Sequence, residues 1–443
     1  MSPNRIAALT SASLCLTILA CVGGGGSGLF GVEFVDEDFD RPSPPLELRG
    51  ALRLECEEPP QQHYQTEAAL GRALCLCGDL EGVGQGLRTR SFSRTYGQDG
   101  GLAHVGINGR MEVVGNPNVG GNLDVAGGLE GVGDLTIQGD LISGKTVEVV
   151  GDWAILGDAW IDGDLETVGV FHVMEDLYVT GEVEAVGDLD FDQARRGFDY
   201  SGPPCGCADS QIIDVAAQVR ARRDQNDNAR LPEGIGAQSL TFTAGEYYIG
   251  DPGDFVGARQ ITVQGRVKLY IEGDIETVGS VDIDLAPGAE LELWLAGRLE
   301  TVGNLGFASE DDARARAFKL FMGGNGSSIV QVGSASFYGS IYAPRVDIEY
   351  VGDLTVYGSI FANNIEGTGS LDILYDTDVS APDPCADATP DPVGDDRCDD
   401  DADCANGEVC DPVSHACGPE QECERDDQCP GNGHCLQGEC VTF

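Results

Sequence analysis

Glu112-Val-Val-Gly115, Glu130-Gly-Val-Gly133, Glu148-Val-Val-Gly151, Glu166-Thr-Val-Gly169 and Glu184-Ala-Val-Gly187 follow one another at a constant spacing of 18 residues. A fixed period over five copies is the signature of a solenoid, in which each repeat is one coil stacked on the last. The 18 divides by three. Glycine stands at 115, 121, 127, 133, 139, 151, 157, 163, 169, 181 and 187, and Lys145 and Glu175 interrupt that series. The second and fourth residues after each glycine are mostly apolar, as in Leu123 and Val125, Leu135 and Ile137, Trp153 and Ile155, or Leu177 and Val179. Alternation of period two predicts short, half-buried strands, and glycine supplies the backbone angles of the bends. The chain therefore reads as all-β, a parallel, three-sided β-solenoid rising about 4.8 Å per coil. Right-handed winding follows from the preference of parallel crossovers.

The same parity defines a face. The first, third and fifth residues after each glycine point outward. Glu112, Glu130, Glu148, Glu166 and Glu184 then form one column, and Val114, Val132, Val150, Val168 and Val186 form a second beside it. Copies recur at Glu276, Glu300 and Glu349 with Val278, Val302 and Val351, and at Glu81 with Val83. Two carboxylates about 5 Å apart repel by about 0.9 kcal/mol in water. Solvent and ions screen such a ladder; the alternative is a divalent cation such as Ca²⁺ held by the five glutamates of the regular run. The valines read first as packed into the bend, and otherwise as an apolar stripe that something covers. A second polar column, Asn122, Asp140, Asp158 and Asp176, lies beside the bends and reads as turn chemistry.

The chain opens MSPNRIAALTSASLCLTILAC, a charged start and a short apolar run of signal-peptide type over residues 1–20. Its end, Ile18-Leu19-Ala20-Cys21, resembles a bacterial lipobox. That resemblance implies lipidation at Cys21, with the glycine-rich 21–28 as a tether to the cell envelope, at the outer membrane or cell surface. Of 16 cysteines, setting aside Cys15 and Cys21 leaves 14, an even number suited to disulfides in an oxidising compartment. The net charge of −49 disfavours nucleic acid as a partner.

Residues 29–93 form an acidic entry segment and 94–190 the regular coils. An insertion at 191–239 carries Pro203-Pro204-Cys205-Gly206-Cys207 and one helix over Asp209 to Asp224, capped by Asp209 or Ser210. Strands resume over 240–376, and a Pro/Asp linker fills 377–397. The stretch Cys205–Asp376 resembles a bacterial solenoid domain of unknown function found in exported and pilus-associated proteins. The resemblance rests on Cys205-Gly206-Cys207, Asn226-Asp227-Asn228, Gly245-Glu-Tyr-Tyr-Ile249, Gly273-Asp274, Gly339-Ser-Ile-Tyr-Ala-Pro344, Gly358-Ser-Ile-Phe-Ala362 and Tyr375-Asp376. It implies an exported β-solenoid and brings no catalytic residues.

Residues 398–443 hold two four-cysteine modules, Cys398, Cys404, Cys410 and Cys417, then Cys423, Cys429, Cys435 and Cys440. Apart from Cys435-x4-Cys440, their spacing lacks the close pairs of zinc sites and reads as a small disulfide-rich region. The modules resemble the disulfide repeats of Dickkopf-type or growth-factor-like proteins. Of the remaining six cysteines, the two Cys-x-Cys motifs flank the coils. Cys75 and Cys77 are expected to bond Cys205 and Cys207, and Cys56 to bond Cys385.

Enzyme readings find few supports. His104 and His172 are isolated, and no basic cluster of the polysaccharide-lyase kind stands on the acidic coils. The expectation is a non-enzymatic surface lipoprotein, a structural or adhesive stalk for envelope glycan or a surface protein, capped by the disulfide modules. The alternatives are a polysaccharide-acting solenoid enzyme and a polymerising scaffold of bactofilin type.

Overall fold

The computed structural model describes residues 34–35, 70–92, 101–231, 239–251, 255–256, 259–307, 317–324 and 326–377, with four short strands between 408 and 441. The chain divides into two compact units, residues 1–49 with 61–382, and residues 50–60 with 383–443. In the second unit, Glu408–Cys410 pairs antiparallel with Cys417–Pro419, and His434–Leu436 with Glu439–Val441. The first unit is mostly β, and its described strands belong to one hydrogen-bonded sheet with parallel pairing.

Strand pairing in the first unit follows the sequence period. Val147–Ile155 lies beside Leu165–Val173 with Glu148 opposite Glu166, Val150 opposite Val168 and Gly151 opposite Gly169. Each residue thus meets its equivalent 18 positions on. The hexads do not all break at glycine. Val147–Ile155 and Leu165–Val173 each run nine residues through a glycine bend. Gly151 and Gly169 take φ of +131° and +127°, a region in which a side chain is strained. A Cβ on Gly151 would also stand 2.1 Å from the carbonyl oxygen of Gly133, one level away. Glycine is required there by both backbone angle and stacking distance.

The order of levels departs from the order of the sequence. The ladder begins at Leu74–Leu76 and Leu80–Phe92, inside the acidic segment expected to precede the coils. From there it climbs to Ala194–Arg196. The second block, from Ser239 to Asp376, does not continue from that end. Its last strand, Ile365–Asp376, pairs in parallel with Leu80–Phe92, and Ile360–Ala362 pairs with Leu74–Leu76. The two blocks therefore meet at the first coil, through contacts some 285 residues apart in sequence, such as Thr377 N to Phe92 O at 3.0 Å. The chain leaves the ladder at this junction, midway along it, rather than at an end.

The segment after Arg196 travels back along the outside of the ladder as a strap. Beneath it lies a column of outward side chains: Tyr178, Trp160, Ile142, Asp124, Gly106 and Cys75, followed by Phe361, Tyr342, Phe321, Trp294, Tyr270 and Tyr248. The strap meets them in that order. Phe198 packs on Trp160 at 5.5 Å between centroids, and Tyr200 Oη donates to Asp124 Oδ1 at 2.7 Å. Cys205 bonds Cys75 and Cys207 bonds Cys77. Further along, Val215 and Val219 are buried with Trp294 and Phe321.

The helix is shorter than the sequence suggests. It spans Val215–Ala221, and its cap is Asp214, whose carboxylate accepts from Ala217 N at 2.9 Å. Asp209–Gln211 is a separate 3₁₀ turn. Ile212 is extended, and Ile213 N donates to Tyr342 Oη at 2.9 Å. That bond to the sheet fixes the strap in an extended form and delays the helix.

The core is one continuous file of inward Leu, Ile, Val and aromatic side chains. Large and small residues alternate between levels where space demands it. Trp153 fills the room above Gly131, where a Cβ would stand 2.4 Å from its ring, and Tyr350 does so against Gly367. Such complementary filling keeps the interior close-packed.

Candidate interaction face

The junction between the blocks preserves the register of the outward columns. Glu276 pairs with Glu300, and Glu349 with Glu366. Glu366 then faces Glu81, which faces Glu112, and the column continues through Glu130, Glu148 and Glu166 to Glu184. Val330 is the one level of this line, from Glu276 to Glu184, that carries no glutamate. The glycine column beside it is also unbroken: Gly279, Gly303, Gly333, Gly352, Gly369, Gly84, Gly115, Gly133, Gly151, Gly169 and Gly187 all have positive φ. Sequence reasoning misses Glu366, although Glu366-Gly-Thr-Gly369 echoes Glu81-Gly-Val-Gly84. Threonine at the valine position hides the copy.

The valine column is exposed unevenly. Val83, Val186, Val278, Val302 and Val351 expose between 52 and 60% of their surface and Val114 exposes 40%, whereas Val132, Val150 and Val168 are half-buried. The positive φ of the following glycine bends the strand just after the valine. An apolar stripe of graded exposure results.

Charge along the glutamate column is uneven. Arg110 lies between Glu81 at 3.4 Å and Glu112 at 3.7 Å. Arg298 contacts Glu276, Glu300 and Asp274. Glu130, Glu148, Glu166 and Glu184 have no ion pair among the described residues. Partial burial, then the charges of Glu166 and Glu130, push the Glu148 carboxyl above its ordinary range. Among the described residues, no three His, Cys, Asp or Glu side chains gather closely enough to hold a metal ion. The glutamates stand as single carboxylates, one per level.

The second acidic column has a structural role. Asn122 Oδ1 accepts from Asp140 N, Asp140 Oδ1 from Asp158 N, and Asp158 Oδ1 from Asp176 N, at 2.9–3.1 Å. Each side chain ties one level to the backbone of the next. His104 starts the series, its Nδ1 accepting from Asn122 N at 3.0 Å. Burial and the charge of Arg72 lower its pKa, which keeps that nitrogen free to accept. His172 pairs with Asp190 at 3.1 Å, separately from His104.

The end of the ladder formed by Ser239–Ile249 is closed by side chains. Asp227 Oδ2 accepts from Glu246 N at 3.0 Å, and Asn228 both accepts from Tyr248 N and donates to Tyr248 O. Asn226-Asp227-Asn228 therefore occupies the backbone groups that a further strand would use. A cleft of about 400 Å³ opens between the strap and the sheet, lined by Ile212, Asp214, Arg220, Glu272, Met322 and Arg345 among others. Arg345 is paired there with Asp209 at 2.8 Å.

Of the cysteines, Cys75, Cys77, Cys205 and Cys207 are joined in two bridges. Cys410 stands opposite Cys417, and Cys435 opposite Cys440, in the two antiparallel ladders. Cys21, Cys56, Cys385, Cys398, Cys404, Cys423 and Cys429 lie outside the described residues.

Residues 207–381 match the sequence family described as a domain of unknown function, DUF7305. No curated protein and no solved structure matches the chain.

Proposed function

We propose that this chain is an exported, lipid-anchored surface protein whose parallel ladder is a β-solenoid stalk that presents a binding face. The observation that carries the reading is the contrast between two outward columns of one ladder. One is covered along its length by the disulfide-pinned strap. The other, glutamate beside valine, is repeated over nearly every level and carries no strap among the described residues. Two disulfides between strap and ladder suit an oxidising compartment outside the cytosol. The lipobox-like Ile18-Leu19-Ala20-Cys21 supplies the anchor, and the tail carries four-cysteine modules similar to Dickkopf-type repeats. Capping of its end would disfavour end-to-end growth, the chief requirement of a polymerising scaffold. The aspartate column beside the bends is engaged with backbone amides.

Expression of Cys21→Ser in a bacterial host tests the anchor. The variant should leave the membrane fraction and appear as soluble exported protein, while the parent stays with the membrane until detergent is added. A parent that fractionates as soluble protein contradicts the anchored reading. Ca²⁺ on the glutamate column is a separate reading, tested by calorimetric titration of the parent against a Glu130→Gln, Glu148→Gln, Glu166→Gln variant.

A further inference from the structure

We infer that the strip between Glu112 and Val186 docks a protein surface that carries a basic row beside an apolar row. The inference rests on the reading of the ladder as an exported binding stalk, and it names the face and the partner's chemistry. Three observations lead to it.

The first is that the fold does not require these side chains. Stacking of the ladder needs the inward residues, the positive-φ glycines and the aspartate–amide ties. Valine at an outward strand position gains from stacking on its equivalents, but glutamate in a parallel column loses by repulsion. Arg110 and Arg298 relieve that repulsion elsewhere and leave Glu130 to Glu184 without a cation among the described residues. An external basic row would relieve it there.

The second is the kind of surface left bare. Aromatic side chains are the usual platform for flat ligands, and in this chain the stacked Tyr270, Trp294 and Phe321 lie buried under the strap. The strip carries its glutamates beside exposed Val114 and Val186 and half-buried Val132, Val150 and Val168. A branched aliphatic row suits apolar contact with a protein, and an adjacent carboxylate row selects its charge.

The third is that a second copy is disfavoured by its charges. Antiparallel face-to-face packing that sets valine on valine also sets glutamate on glutamate. The parallel arrangement places each glutamate column over the partner's bend, where exposed Asp134 and Asp152 stand. Each copy also carries a net charge of −49.

A charge-reversed copy of the chain is a probe with the stated chemistry. Glu130→Lys, Glu148→Lys and Glu166→Lys together keep the valines and the level spacing. Each change adds two positive charges, so the variant remains acidic overall, at −43 against −49. General charge attraction between the two proteins is thereby avoided. Parent and variant are mixed as full chains and followed by sedimentation velocity, with circular dichroism to verify that the variant is folded. The inference predicts a one-to-one complex in the mixture alone, weakened about tenfold or more between low and high salt. Val132→Thr, Val150→Thr and Val168→Thr in the parent keep the β-branched shape and should weaken the complex further. No complex in the mixture overturns the inference. Self-association of the parent alone overturns it in favour of a second copy, and insensitivity to the threonine changes overturns the two-row footprint. Both chains carry Cys21→Ser, so acyl chains contribute to none of these outcomes.

Discussion

Gly151 shows how much of this architecture rests on single positions. Its φ of +131° and the 2.1 Å that would separate a Cβ from Gly133 O act together. Gly151→Ala should cost about 3 kcal/mol, from strain at the left-handed angle and displacement of the adjacent level. Val150→Thr, one residue earlier and outward, should stay within about 0.5 kcal/mol. Chemical denaturation of the two variants checks the contrast. Carboxylates divide in the opposite sense according to their surroundings. Burial raises the carboxyls of Asp124 and Asp158, and burial with neighbouring glutamates raises Glu148. A raised folded value favours the protonated form. The stabilisation is full below the unfolded value and is lost as pH rises through the folded one. Arg223 lowers Glu272, and Arg298 lowers Asp274. Their contribution is present above the unfolded value and is lost as pH falls through the folded one. The melting temperature should therefore rise as pH falls towards the ordinary carboxylate range and fall again in stronger acid. A steady decline from pH 7 downward would contradict this assignment.

At the scale of elements, the strap is held by two bridges that close overlapping loops. Each joins residues 130 apart. One bridge alone removes most of the loop entropy of the unfolded chain, about 5 kcal/mol for a loop of this size. With Cys75–Cys205 in place, Cys77–Cys207 closes only a few further residues. Single removal of either pair by serine should thus cost little, and removal of both several times more, as read by denaturant midpoints under non-reducing conditions. The period of 18 was legible because each level repeats Glu-x-Val-Gly, and the Cys-x-Cys motifs were legible as partners because they flank the coils. Other features were hidden for physical reasons. The helix start depends on Tyr342 holding Ile213 N, a contact across 129 residues that no local pattern records. Exposure of the valines depends on the bend that follows them, which period-two alternation does not describe. The pairing of Leu80–Phe92 with Ile365–Asp376 was hidden as well, since parallel neighbours leave no turn between them.

For the whole first unit, that pairing changes the path of the chain. The sequence climbs one half of the ladder, returns outside it along the strap, and climbs the other half to finish beneath its own first coil. Such long-range closure delays the reward for ordering and favours slow folding. It also aligns Glu366 with Glu81 and Gly369 with Gly84, so the glutamate and glycine columns cross from one block to the other. Columns of this length exist only if the blocks meet as described. The most direct measurement is oxidative crosslinking of a Glu81→Cys, Glu366→Cys variant, with peptide mapping. The account predicts an intramolecular disulfide between positions 81 and 366 in the folded monomer, and no disulfide between the two introduced cysteines of a Glu184→Cys, Glu366→Cys control. A folded variant that forms no 81–366 bridge, or a control that bridges 184 to 366, would contradict it.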